Sequence, residues 1–364
     1  MKKNLRNILA LSLGLMTTVA FAQDWNVDSR TRIDMSGDYD KFEAAQRATV
    51  GTTWGGSDWS IHASTEVNYD LNGGMAADLS VYEAYASTDL MGYASLTAGR
   101  MALDYGSGLI IGSNQWGDRS ANVRDVMNFG LNLDFADVTV GYFSRMDGAE
   151  LTNGATGYMV NASKSDGDWN ANLLLGSQTL TLGDVDGEST DYMGLDLGYN
   201  MMDGNLALDV SYNTATGVMS TEGETMADMD MTRIGATYSV NESMSVSASQ
   251  TTYGEGGFNV LGSNYGAYGT DSWMSHGNIG HLGNDQTNMS FGGNYSMGAI
   301  DLGVTMHNVT SDADGDDNYE RTATELHIGY SLSDNTGLSL KYVTDDNGTD
   351  TETNYTWLTV NIGL

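Results

Sequence analysis

Polar and apolar residues alternate with period two along most of the chain, the spacing that sends successive side chains to opposite faces of a sheet. Near the start, Trp25, Val27, Thr31, Ile33 and Met35 share one side, and Asn26, Asp28, Arg30, Arg32 and Asp34 share the other. The split recurs with Trp59, Ile61, Ala63, Val67 and Tyr69 against Ser60, His62, Ser64, Glu66 and Asn68. It recurs again with Leu206, Leu208, Val210 and Tyr212, and near the end with Leu326, Ile328, Tyr330 and Leu332. Segments of this kind, from 25–35 to 354–364, predict about eighteen strands.

The connections carry a second regularity. Short links, such as Gly55 to Asp58, Asp134 to Asp137 and Asn241-Glu242, alternate with longer stretches at 36–43, 70–77, 102–122, 147–156, 179–190, 214–228, 253–286, 308–320 and 345–353. Short turns on one rim and long loops on the other are the habit of an up-and-down membrane barrel. The reading is therefore all-β: a transmembrane antiparallel up-and-down β-barrel of about eighteen strands, greasy side outward and polar side inward. Closure follows from the solvent, since hydrocarbon offers no partner for the unpaired amides of a sheet edge. In the last segment Leu358, Val360, Ile362 and Leu364 form one apolar row, with Trp357 on the inward row. Trp25, Trp54, Trp59 and Trp169 stand near strand ends, where amphipathic rings favour a membrane interface.

Residues 1–22 stand apart from this pattern. Lys2, Lys3 and Arg6 precede an apolar stretch from Ile8 to Ala20, and Ala20-Phe21-Ala22 has the small-x-small form of a cleavage site. This predicts a secretory signal at 1–22 and one barrel domain at 23–364, exported to a bacterial outer membrane. No later segment has a comparable apolar run, so insertion as helices is excluded. No linker divides the rest.

Composition narrows the function. The chain carries 48 Asp and Glu against 15 Lys and Arg, a net charge of −33, so nucleic acid is not an expected partner. It has no Cys, which excludes thiolate metal sites, disulfides and a cysteine nucleophile. It has no Pro, in keeping with strands whose amides are all paired. The acidic residues gather in the long connections, at Asp184 to Asp186, Glu222 to Asp230, Asp312 to Asp317 and Asp345 to Glu352. These loops could collect divalent cations, and Asp312 to Asp317 superficially resembles a calcium loop, but Ala323 stands where the distal glutamate belongs, which favours a solvated acidic loop there.

The cations lie elsewhere. Arg30, Arg32, Arg47, Arg233, Arg321 and Lys341 fall on the predicted inner face, and Arg100 and Arg124 flank the connection 102–122. Guanidinium groups along a path bind carboxylates or phosphates in paired hydrogen bonds and favour anions. Alternatively, they pair with inward Asp28, Asp34, Glu66, Glu83, Asp209 and Glu325 and knit the wall together. Both readings stay open at this point.

Gly99-Arg100, Tyr105-Gly106, Leu109 to Gly112, Trp116 and Arg119, with Arg30-Thr31-Arg32, Glu83-Ala84-Tyr85, Tyr268 to Thr270 and His276-Gly277, resemble alginate-export-type outer-membrane porins. The resemblance implies an eighteen-stranded barrel whose arginine-rich lumen passes an anionic polysaccharide or related acidic solute. It implies Arg30, Arg32, Arg47, Arg100, Arg119 and Arg124 as lumen cations. The acidic loops depart from that pattern, since they would repel a polyanion.

The expected function is thus a porin or channel for an anionic or polar solute, with no cofactor, in contact with outer-membrane lipid. The connections 102–122 and 253–286 would narrow the pore. A structural or adhesive barrel with a plugged lumen is the alternative. A barrel hydrolase is the lesser rival: His62, His307 and His327 face inward, but neither a G-x-S-x-G elbow nor an H-E-x-x-H helix is present.

Overall fold

The computed structural model describes residues 22–36, 43–71, 77–112, 116, 123–147, 153–182, 185–217, 228–258, 273, 277–312, 319–349 and 351–363. Eighteen strands make up almost all of it. They are β1 (Ala22–Asp34), β2 (Glu43–Gly55), β3 (Trp59–Asp70), β4 (Asp78–Asp89), β5 (Ser95–Ala102), β6 (Val123–Leu133), β7 (Ala136–Asp147), β8 (Asn153–Asp166) and β9 (Trp169–Leu182). The second half comprises β10 (Val185–Met201), β11 (Leu206–Thr216), β12 (Met229–Asn241), β13 (Met244–Tyr253), β14 (Gln286–Met297), β15 (Ile300–Ser311), β16 (Glu320–Ser333), β17 (Thr336–Asp345) and β18 (Thr353–Gly363).

Each strand pairs antiparallel with its neighbours in sequence, and β1 pairs with both β2 and β18, so the sheet closes on itself. Closure leaves no edge with unpaired amides. A pairing row that begins at Trp59 runs through Thr88, Leu96, Phe129, Val140, Val160 and Leu175 to Met193, climbing from the turn rim to well above it. That climb is the stagger that tilted barrel strands require.

The predicted alternation holds on the outside. Trp59, Ile61, Val210, Tyr212, Val304, Leu326, Ile328 and Tyr330 are all exposed there, as are Trp25 and Trp169 near the turn rim. On β3 the outward row runs from Trp59 to Tyr69; at about 3.3 Å per residue and a tilt of about 40° it spans ~25 Å, the height of a lipid-facing belt. No helix among the described residues is long and apolar enough to cross a membrane.

Two expectations are corrected. The connection 179–190 is mostly strand, because β9 and β10 continue pairing through a bulge between Asp186 and Ser189 as far as Leu182 and Val185. The acidic residues clustered there hide the alternation. The inner face is also not uniformly polar. Phe143, Met159, Leu174, Tyr192, Met231, Val309, Val343 and Trp357 face inward and are buried, packed against Leu109, Ile110, Ile111, Phe258, Trp273, Ile279 and Leu282 from two connections that fold into the lumen.

Candidate functional site

The third long connection crosses the interior. At one end Gly106 and Gly108 adopt positive φ, and the turn they form lets Ser107 N donate to Asp196 Oδ2 of β10 at 2.9 Å. A side chain at Gly106 would strike that carboxylate, so glycine is required there. At the other end, the Trp116 carbonyl accepts from Arg30 and Arg32 of β1, and its indole meets Trp357 of β18 edge-on at 5.6 Å. β10 and β1 stand nine strands apart in an eighteen-stranded ring, on opposite sides. Ten residues reach about 35 Å when extended, so this segment is long enough to bisect the lumen.

The seventh long connection meets it from the side of β12–β17. Trp273 Nε1–H donates to Asp345 Oδ2 at 2.6 Å, and Lys341 Nζ donates to the Gly277 carbonyl. Gly277, at φ 67°, lies under the Trp116 ring, where a Cβ would come within 2.3 Å of it. The two connections therefore touch through one indole and one glycine.

Cations surround this contact. The Arg32 guanidinium stacks 3.9 Å from the Trp116 ring centroid, and Lys341 Nζ lies 5.6 Å from it and 5.5 Å from that of Trp273. Such contacts contribute about 0.5–2 kcal/mol each when partly desolvated. Arg30 pairs across the strands with Arg47, which lies 3.9 Å from buried Glu66. Glu325 accepts from Lys341 and from His307 Nε2, the latter at 2.9 Å. In the third connection, burial pushes the Tyr105 phenol up to about 12, against the opposing pull of the Arg124 charge.

The other arginines separate by position. Arg233 of β12 faces inward, paired with Asp209 of β11. Arg321 of β16 faces inward in a two-pronged pair with Asp345, whose side chain is fully buried. On this part of the inner wall the cations are held by carboxylates.

Arg124 also faces inward but is 2 % exposed, stacked over Phe143 and sealed into the packed wall, so it cannot touch a solute. Arg100 is a correction. It continues the outward row Leu96, Ala98, Arg100 and forms a two-pronged pair with outward Asp125 at 3.0 and 3.1 Å, the two side chains 44 % and 51 % exposed. It therefore does not line the interior. Arg119 lies outside the described residues, as does the proposed calcium loop beyond Asp312.

Sequence reasoning missed Asp345 and Trp273. Asp345 opens an acidic tract read as a candidate for divalent cations, yet it and Asp346 accept bonds from Arg321, Trp273, Asn347, Thr322 and Gly348. A tryptophan in each of the two longest connections, at 116 and 273, was the available sign that both fold inward.

No family model matches the chain, and no curated protein is similar to it in sequence. Solved structures are similar in shape. OccK3 (OpdO) of Pseudomonas aeruginosa superposes with a TM-score of 0.70 at 13 % identity, covering 94 % of this chain and 96 % of that one. OccK1 (OpdK) of the same organism gives 0.69 at 13 % identity over 95 % and 100 %. A structure of OpdK with vanillate gives 0.69 over the same shares. What the chain shares with these structures is the fold, a closed antiparallel barrel of eighteen strands. At this level of identity the likeness is one of architecture, and what the barrel carries is argued from its own residues.

Proposed function

We propose that this protein is a bacterial outer-membrane channel that passes an anionic or polar solute, a short acidic saccharide or a smaller organic acid. The observation that carries this reading is the cluster of Arg30, Arg32 and Lys341 on one inner wall, gathered where the two inward connections meet around Trp116. Planar guanidinium groups there present forked donors to a carboxylate, while the indole edge narrows the way. The closed sheet, the ~25 Å apolar belt and the porin-like architecture support the membrane setting. The acidic loop segments would screen the mouth with divalent cations. No enzymatic step belongs to this reading.

Refolded protein in a planar bilayer tests it. Discrete conductance with an anion-selective reversal potential in a salt gradient is expected, and Arg30→Gln with Lys341→Gln should move that potential toward cation preference. Silence at every voltage would remove the channel. Cation selectivity unchanged by the double variant would remove the arginine path.

A second reading, a structural barrel with a plugged lumen, is favoured by the packing of Leu109, Ile110, Ile111, Trp273 and Ile279 against the inner wall. The same silent bilayer would support it.

A further inference from the structure

The outer wall carries a charged site of its own. Arg100 of β5 and Asp125 of β6 are direct partners in register, and both face away from the lumen. Arg100 lies opposite Ala84, four residues above Thr88, which in turn lies opposite Trp59 at the turn rim. Four residues at about 3.3 Å each, tilted about 40°, and two strand steps put the guanidinium roughly 15 Å above Trp59, inside the ~25 Å apolar belt. The other outward charges with described side chains keep to the margins: Lys164 and Asp166 at the turn rim, and Asp191, Asp230 and Glu320 toward the loop rim.

Hydrocarbon offers no acceptor, so an N–H in the belt depends on protein for one. Arg100 spends Nε and Nη2 on the two oxygens of Asp125, at 3.0 and 3.1 Å. A guanidinium has five N–H groups, and the remaining ones, two of them on Nη1, donate to nothing among the described residues. The carboxylate has the matching surplus, since each oxygen takes a second donor. Both side chains are about half exposed, so these donors and acceptors are within reach of whatever adjoins the wall.

The ground beside the pair is level. Ala63 opposite Ala84, and Ala86 opposite Ala98, make up the outward surface of β3–β5 there, whereas nine strands away β14 presents exposed Phe291. Short side chains let a second protein wall come close enough to meet the guanidinium. A lipid does not fit, because its phosphate lies outside the belt and Asp125 repels it. The site is instead complementary to itself. Arg100 and Asp125 stand one strand apart at nearly one height, and a two-fold axis along the membrane normal preserves height and orientation. Such an axis sets each Arg100 against Asp125 of a second copy, and the four groups close a ring of alternating charge. We propose that the outer wall at β5–β6 is a two-fold interface between two copies of this chain, fastened by Arg100 and Asp125. The interface rests on the membrane setting of the channel reading and not on conduction.

Single-cysteine cross-linking tests this cleanly, since the chain has no cysteine of its own. The full chain carrying Ala98→Cys, refolded into phosphatidylcholine vesicles with enough lipid to make chance collision rare, should give a band of two chains with a short bis-maleimide. Phe291→Cys should stay monomeric. In the Ala98→Cys background, Arg100→Asp alone or Asp125→Arg alone should lower the cross-linked fraction about tenfold, because like charges then face each other. Refolding those two variants together should restore it, since each meets the opposite sign on the other. A pair acting only within one copy gains nothing from mixing. Ala84→Trp keeps both charges but fills the level ground, so it should also remove the band, and it serves if the charge variants do not fold. Equal cross-linking at positions 98 and 291, a monomer at both, or no rescue on mixing the folded variants would overturn the proposal. Bilayer conductance separates it from the channel reading. A silent protein that cross-links through Ala98→Cys keeps the interface and loses the channel, and a conducting monomer does the reverse.

Discussion

The interior of the barrel has two unlike halves. Toward the short-turn rim, inward Asn294, Asp301, His327 and Asn361 are exposed, while toward the loop rim inward Met159, Val309, Ala323 and Val343 are sealed. The change runs along single strands: on β15 the inward row passes from exposed Asp301 through nearly buried His307 to fully buried Val309. The outward row of the same strand, Leu302, Val304 and Met306, stays exposed along its length. The surface is therefore set by one solvent, lipid, and the interior by two, water below and folded chain above.

Substitutions can break that contrast in order of size. Val343→Asp places a carboxylate among apolar groups and beside Glu325, and should lower stability by about 4 kcal/mol. His327→Asp, on the same face of the neighbouring strand, should change it by less than about 0.5 kcal/mol. Urea unfolding of the refolded protein checks both. Arg321→Ala leaves fully buried Asp345 without its guanidinium and should cost about 3 kcal/mol, whereas Arg100→Ala, on the outer wall, should cost under about 1 kcal/mol. Equal losses would mean the loop-side half is not drier than the surface. Gly277→Ala forces a left-handed backbone on alanine and drives a methyl into the Trp116 ring, costing about 1–2 kcal/mol. It should also enlarge single-channel current, since the two inward connections part there; an unaltered current would show that their contact does not restrict flow.

The strands were legible because lipid on one side and anything at all on the other leaves a period-two trace. β16 shows it well: Leu326, Ile328, Tyr330 and Leu332 against Glu325, His327 and Ser331. Arg100 took its lumen place from the resemblance alone, since Ala98-Gly99-Arg100 offers no contrast between faces; its pairing with Asp125 reveals its side. β6 has apolar residues on both faces, Val126 inward and Met127 outward, for the same reason that Arg124 is sealed: folded loop lies behind it. The meeting of Trp116, Gly277 and Lys341 joins residues scattered along the chain, and no local pattern announces it.

The seam between β1 and β18, where Ile33 meets Leu358 and Asp34 meets Trp357, has a consequence for assembly. Partners separated by more than three hundred residues must join last, so no shorter piece of the polypeptide can finish the ring. An N-terminal hairpin released early would wait with a bare flank, vulnerable to pairing with the wrong molecule until the final segment arrives. Insertion should accordingly be all-or-none, and deletion of Thr353–Gly363 should yield aggregates rather than a narrower barrel.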